Sequence, residues 1–379
     1  MLYRALGKTD TAPSLLGFGC MRMPLNMNGT VNYDIATEMI NYAIENGVNY
    51  FDTSCVYHNG HSEAFLGDVL SEYPRDSFYL TTKLPSWEIH SLAEAKSIFD
   101  EQMQRLKTEY LDFYLLQALN RHDWAKMKEL GILEWCDELK KSGIIRNFGF
   151  SFHDNYEVFE QILTYREWDC CMIQFNYMDA DDEHGGIKAH DLCEKLGVPL
   201  FVMEPVKGGS LSNLPADLNQ MLVDINPIAT ASSWALRWVA GFPQVKIILS
   251  GMNNMDQLRD NIETLSSYTP LNEDEKSIIE IIKVERNKLV NNQCTYCNYC
   301  QPCPNGVSIS RVFKIWNDYS VYNNREAVKW EWFTFPKEKK PVSCTYCGVC
   351  EKRCSQKISI REDLIDAQNI LNPIIKDWE

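Results

Sequence analysis

A carboxylate, a phenol and a primary amine are spaced in this chain so that a folded sheet can bring them together. Asp52 closes the apolar run Tyr50-Phe51, and Tyr57 follows it by five residues. Lys83 closes a second run, Phe78-Tyr79-Leu80-Thr81-Thr82. An ammonium beside a phenol favours the ionised form and makes the phenol a better proton donor. A carboxylate beside the ammonium holds it charged and aimed. The three make a tuned general acid. His58 and His61 lie next to Tyr57 as alternative proton donors, although loop histidines more often carry no chemistry.

Cysteine is the second chemistry-bearing residue. Of 14 cysteines, Cys20, Cys55, Cys136, Cys170, Cys171 and Cys193 are scattered, whereas the others form two tight groups after residue 290. The chain reads as cytoplasmic, where disulfide frameworks are rare, so the groups are metal-ligand candidates. One is Cys294-x2-Cys297-x2-Cys300-x2-Cys303-Pro304, the other Cys344-x2-Cys347-x2-Cys350-x3-Cys354. Three thiolates at such spacing can wrap one face of an iron–sulfur cube. The pattern is similar to that of two-cluster ferredoxins, in which the fourth ligand comes from the opposite group. That similarity pairs Cys294, Cys297 and Cys300 with Cys354, and Cys344, Cys347 and Cys350 with Cys303. Two departures are the x2 spacing before Cys303 and Ser355 in place of a second proline. Structural zinc is the alternative, but it usually takes paired CxxC knuckles.

These groups need elements to position them. From residue 15 to 265, short apolar runs alternate with helical patterns. The predicted strands are Leu15–Gly19, Tyr50–Thr53, Phe78–Lys83, Phe113–Gln117, Asn147–Ser151, Met172–Asn176, Leu200–Glu204 and Lys246–Ser250. Between them, segments such as Asp34–Glu45, Leu92–Lys107, Trp124–Ser142 and Ile228–Val239 carry apolar residues at helical spacing. This alternation fits a parallel (β/α)8 barrel better than a doubly wound sheet. Leu16-Gly17-Phe18-Gly19-Cys20-Met21 falls short of a dinucleotide-binding glycine fingerprint. In a barrel, Asp52, Lys83, Gln117, Ser151, Asn176 and Glu204 fall at or just past the carboxyl ends of strands, where active sites gather. The predicted domains are 1–270, the barrel; 271–290, a connecting helix; and 291–379, a small, mainly α-helical ferredoxin-like domain with helix Ser308–Tyr319 and an aromatic segment at Trp330–Phe333.

Several motifs together resemble the aldo–keto reductases. They are Tyr3-Arg4-x-Leu6-Gly7-Lys8-Thr9, Tyr50-Phe51-Asp52-Thr53-Ser54-x2-Tyr57-x2-Gly60-x-Ser62-Glu63-x2-Leu66-Gly67, Leu80-Thr81-Thr82-Lys83 and Tyr110-Leu111-Asp112-x-Tyr114-Leu115-Leu116. The cysteine-rich tail is similar to that of the branch carrying a C-terminal ferredoxin domain. The resemblance implies hydride transfer between NADP or NAD and a small carbonyl or enone, with Tyr57 as acid, Lys83 lowering its pKa and Asp52 supporting Lys83. The family's fourth catalytic residue is a histidine where this chain has Gln117. A glutamine amide donates hydrogen bonds but moves no proton near neutral pH. Relatives that reduce carbon–carbon double bonds also differ there.

The resemblance further places Met21 and Arg22 at the cofactor, Ser151 and Gln174 at the nicotinamide amide, and Met203 where other members stack an aromatic ring. Pro205, Lys207, Gly208 and Gly209 correspond to the pyrophosphate loop. Ser250, Gly251, Met252, Gln257 and Asn261 correspond to the adenosine end. Gln257 stands where many NADPH-specific members have arginine, and nearby Arg259 points elsewhere on a helix. Trp87 and Trp124 are pocket-lining or loop-packing residues, Cys170 and Cys171 are core, and the acidic run Asp179–Glu183 is a solvated loop.

Composition bounds the rest. Hydrophobic residues make up 45% and charged residues 23%, as in an ordinary globular chain. A net charge of −15 argues against nucleic acid or an anionic membrane as partner. No membrane-length apolar run or signal-peptide core is present in the sequence. Three readings remain: a reductase whose clusters relay electrons to a redox partner, an electron-transfer protein with a non-catalytic barrel, and a reductase whose clusters are structural.

Overall fold

In a computed structural model, which describes residues 1–7, 12–181, 186–322 and 325–378, eight parallel strands close on themselves. They are β1 (Leu16–Gly19), β2 (Tyr50–Asp52), β3 (Tyr79–Pro85), β4 (Leu111–Leu119), β5 (Ile145–Phe152), β6 (Cys170–Gln174), β7 (Leu200–Met203) and β8 (Val245–Ser250). Sequence order is spatial order, and β8 returns to β1 with Leu16 opposite Ile248. The predicted barrel and all its strands are present, with β4 and β5 longer than expected.

The strands are apolar on both faces because both are covered. Inside, Tyr50, Phe113, Phe201, Met172 and Ile247 fill the barrel, and the Tyr50, Phe113 and Phe201 rings lie 5.3–5.7 Å apart. Outside, residues such as Leu16, Phe51, Leu116, Phe150 and Ile248 meet the apolar stripes of the helices.

The expected helix Trp124–Ser142 is two helices, Arg121–Glu129 and Ile132–Lys141. Gly131, at φ 69, breaks them and starts the second turn in a conformation that disfavours a side chain. Trp124 is consequently buried against Tyr165 and Trp168 and lies in a helix, not a pocket-lining loop. The sequence reading also passes over helix Ala216–Ile225, which precedes Ala231–Ala240.

The chain divides into one unit of Met1–Val206 with Ser232–Leu271, and another of Lys207–Ala231 with Asn272–Glu379. Lys207–Ala231, assigned to the barrel by the sequence reading, thus groups with the tail. Helix Glu273–Asn287 opens on a reciprocal cap, Asn272 accepting from Glu275 N and Glu275 from Asn272 N. Ile309–Val321 and Ile360–Leu371 then pack around Val312, Phe313, Trp316, Trp332 and Leu364. The aromatic segment lies within helix Arg325–Thr334. No strand occurs among the described residues of this second unit. Lys8, Thr9, Asp182 and Glu183 lie outside the described residues.

Candidate active site and cysteine centre

Asp52 ends β2, and Lys83 lies opposite in β3, because the parallel register sets Asp52 against Thr81. Both side chains are buried. Lys83 Nζ donates to Asp52 Oδ1 at 2.5 Å, to the Thr53 carbonyl at 2.9 Å and toward Tyr57 Oη at 3.5 Å. The same ammonium sits 5.1 Å from the Tyr57 ring centroid. The structure therefore brings together the three groups that the sequence singled out. Burial pushes the Asp52 carboxyl above its ordinary value, and Lys83 pulls it partly back. Asp52 Oδ2 has no hydrogen-bond partner, so the ammonium carries the carboxylate's main compensation.

A second buried network fixes the lysine's strand. Glu63 accepts from Thr82 Oγ1 at 2.6 Å, Gln102 Nε2 at 2.9 Å and Arg105 Nε at 2.8 Å. Gln102 Nε2 also reaches the Lys83 carbonyl at 2.8 Å, and Tyr114 donates to Gln102 Oε1. Full satisfaction of such a group of polar atoms rigidifies what it touches.

Gln117 is buried two residues before the end of β4. Ser54 Oγ donates to Gln117 Oε1 at 2.7 Å, which turns the amide NH2 away from Ser54. The sequence reading missed this orienting role, since Ser54 is one small residue in a motif and the bond spans 63 positions. Next door, β4 bulges, with Ala118 at φ 53, and Ala118 N donates to Ser151 Oγ at 2.8 Å. Ser151 thereby keeps its own hydroxyl proton to give.

Gln174 donates to Asp179 Oδ2 at 2.6 Å, and Asn176 donates to the same oxygen at 2.8 Å and to the Glu204 carbonyl at 3.0 Å. Asp179 is buried, which corrects its reading as part of a solvated run; Asp181 is exposed. The acid leaves solvent because two amides take up its charge. His58 is likewise not an idle loop histidine. At φ 51, it places Nε2 3.0 Å from the Cys20 carbonyl and 3.3 Å from Met23 N, tying the loop after β1 to that after β2. Burial lowers its pKa. His61 is exposed.

Met21 and Arg22 lie in the turn Cys20–Arg22 after β1. Arg22 Nη2 is 3.4 Å from Glu204 Oε1, and its methylenes cover Gly251, where an added Cβ would lie 3.1 Å from Arg22 Cγ. Met203 packs on the barrel interior, and Pro205 and Met252 are buried. Asn261 donates to Ser250 Oγ at 2.7 Å. The exposed Gln257 accepts from Asn253 N at 2.9 Å. Arg259 instead lies over Tyr42 and 3.9 Å from Asp256.

In the second unit, Cys294, Cys297, Cys300 and Cys354 line one cavity with Ile309, Phe313, Ile358 and Ile360. This is the first set paired by the sequence pattern. Asn305 donates to Thr345 at 2.8 Å, linking the segment after Cys303 to the second group. The two groups repeat in backbone as in sequence. In Cys-Thr-Tyr-Cys, Tyr296 and Tyr346 adopt φ 58 and 59, and the following Asn298 and Gly348 adopt φ 66 and 73. These left-handed positions turn the chain sharply between the cysteines of each group. Tyr346 N donates to Cys344 Sγ at 3.4 Å. None of the eight cysteines is in a disulfide.

Burial pushes the Cys300 thiol up to about 12, helped by Cys297 and Cys354, and that of Cys350 to about 11, helped by Glu351. A metal cation reverses this balance, because a coordinating thiol is deprotonated outright. Four unbridged thiols converging in an apolar cavity fit a metal–sulfur group.

Residues 15–283 match the Aldo/keto reductase family. That leaves the eight tail cysteines outside the matched range. An uncharacterized oxidoreductase of Bacillus subtilis, YqkF, is 25% identical over 307 residues, covering 73% of this chain and 95% of its own. The NADH-specific methylglyoxal reductase of Escherichia coli is 25% identical over 308 residues, with 69% and 92% covered. Among solved structures, the holo form of an aldo-keto reductase from Bacillus halodurans superposes with a TM-score of 0.62 at 27% identity, covering 74% of this chain and 96% of that one.

Proposed function

This chain belongs to the aldo/keto reductase family, and from that premise we propose that it moves a hydride between NAD(P)H and a small carbonyl or enone, with the tail holding two [4Fe-4S] clusters. The single observation that carries the reading is the buried Lys83 ammonium held by Asp52 and directed at Tyr57 Oη. A bound nicotinamide supplies the hydride. Tyr57 gives its phenolic proton to the substrate oxygen as that oxygen gains charge, and Lys83 stabilises the phenolate left behind. Asp52 keeps Lys83 charged and in place.

Gln117 would orient the substrate oxygen through its amide, without passing a proton. That limitation favours substrates whose oxygen Tyr57 alone can protonate, and it supports including enones beside carbonyls. Ser151 and Gln174, each already fixed by a neighbour, would hold the nicotinamide amide. The adenosine end gives no arginine at Gln257, and Arg259 is turned to Tyr42. The E. coli relative, by its name, acts on methylglyoxal with NADH. We therefore take NADP or NAD as the nicotinamide.

Cys294, Cys297, Cys300 and Cys354 would hold one cluster, and Cys344, Cys347, Cys350 and Cys303 the other. Such clusters supply one-electron steps. Cys347 is exposed, which suits exchange with a soluble electron-transfer partner.

The test is anaerobic. Protein whose iron has been counted is mixed with NADH or NADPH and a panel of aldehydes, ketones and enones, and reduced product is identified. Cofactor binding with formation of an alcohol or saturated carbonyl is the expected result. Failure to bind either nicotinamide overturns the proposal.

A further inference from the structure

Cys347 is the one exposed cysteine among the described residues, whereas Cys303, Cys344 and Cys350, assigned to the same set, are half-buried or buried. The segment around it differs in charge from the rest of the chain. Residues 337–361 hold seven lysines and arginines against two glutamates, in a protein whose net charge is −15.

Local structure ties these cations to the second cysteine group. Lys337 and Lys339 are exposed on the turn Lys337–Lys339. A further turn, Pro341–Ser343, joins it to Cys344, whose N–H donates to the Pro341 carbonyl at 2.8 Å. Lys352 and Arg353 are exposed at the end of helix Val349–Arg353, which contains Cys350. Of the two carboxylates, Glu351 is taken up by Arg361, whose Nε donates to it at 2.8 Å and whose guanidinium lies beside Gly348. Lys337, Lys339, Lys352 and Arg353 are left without an ion-pair partner among the described residues. The next exposed acids, Glu362 and Asp366, belong to helix Ile360–Leu371. In the chain between the two cationic pairs, Val342 is 58% exposed and Tyr346 53%. Exposed apolar and aromatic side chains with a charged rim have the anatomy of a protein interface.

Resting on the reading that the tail holds two clusters, we propose that the surface around Cys347 is the docking face for an acidic one-electron carrier protein. Lys337, Lys339, Lys352 and Arg353 steer it, and Val342 and Tyr346 make the contact. Charge decides the partner. A carrier with a negative face is attracted to this segment and repelled by the acidic remainder of the chain, so encounters concentrate here. This is also where an exposed sulfur brings the redox group nearest the surface. Each docking moves one electron, carrier and chain changing by one in opposite senses, with no bond made and no proton moved. A nucleic acid or an anionic bilayer meets the same cations but makes no use of the exposed sulfur.

Calorimetric titration of the full, anaerobically purified, iron-loaded chain with an acidic [2Fe-2S] ferredoxin at low ionic strength tests it. Binding is expected, falling as salt is raised. It is expected to weaken about tenfold or more when Lys339→Glu and Lys352→Glu are combined. Lys276→Glu, outside this segment, is expected to leave the affinity unchanged. Should the charge reversal lose iron, Lys339→Gln with Lys352→Gln carries the same test, with a smaller loss expected. Iron and sulfide counts separate this proposal from the reading beneath it. A chain without clusters overturns both. A loaded chain that does not bind the ferredoxin, or binds it as tightly after charge reversal, overturns the docking face alone. Equal affinity for double-stranded DNA or for anionic vesicles overturns it as well, because the cations would then be a general polyanion surface.

Discussion

At the scale of single residues, the candidate chemistry depends on how few partners each buried charge has. Asp52 relies on Lys83, and Lys83 spreads its hydrogens over Asp52, the Thr53 carbonyl and Tyr57. Gln117→His adds a proton-carrying group at the fourth position. It is expected to raise turnover of simple ketones by roughly tenfold or more if proton relay is what the site lacks. Steady-state rates on matched ketone and enone pairs check this, and unchanged ketone rates would refute it. His58 makes a pH prediction. Its folded pKa is depressed by burial below the ordinary 6.5, so its contribution to stability is present above that value. The contribution is lost as pH falls through the folded pKa. Thermal melts between mildly acidic and neutral pH are expected to show a loss on acidification that is smaller in His58→Asn. The motif residues Asp52, Tyr57 and Lys83 were legible because strand ends place them. Ser54 and Asp179 were not, because their roles are bonds to amides that only the closed barrel brings within reach.

At the scale of elements, alternation of apolar strands and amphipathic helices was enough to read the barrel, since parallel strands covered on both faces leave continuous apolar runs. Where single glycines decide the path, the sequence was less legible. Gly131 splits one expected helix into two through its left-handed backbone, and the break is hidden in the sequence because helical periodicity continues across it. Gly208 has a tighter constraint, a left-handed backbone pressed against Thr295. Gly208→Ala is therefore expected to destabilise the second unit by about 2 kcal/mol, from strain and contact together. Chemical denaturation followed by tryptophan fluorescence checks it, and an unshifted midpoint would show that the loop can relax. The cysteine spacing was legible as a repeat, but the matched left-handed tyrosines that curl each knuckle carry no sequence warning, because tyrosine rarely adopts that conformation.

At the scale of the whole molecule, the family match and the cysteine repeat describe different parts of the chain. Residues 15–283 carry the reductase match, and the eight tail cysteines follow it. Chemical analysis of anaerobically purified protein is expected to find about eight irons and eight acid-labile sulfides per chain. Zinc without sulfide would remove the tail's redox role and leave the barrel's chemistry intact. The central claim is that Tyr57, charged up by Lys83, protonates the substrate oxygen. Its most direct test is the single-turnover rate of nicotinamide oxidation in wild type and Tyr57→Phe, with cofactor affinity measured for both. A fall of about 10²- to 10⁴-fold in rate, at unchanged cofactor affinity, is the predicted result. A Tyr57→Phe enzyme as fast as wild type would contradict it.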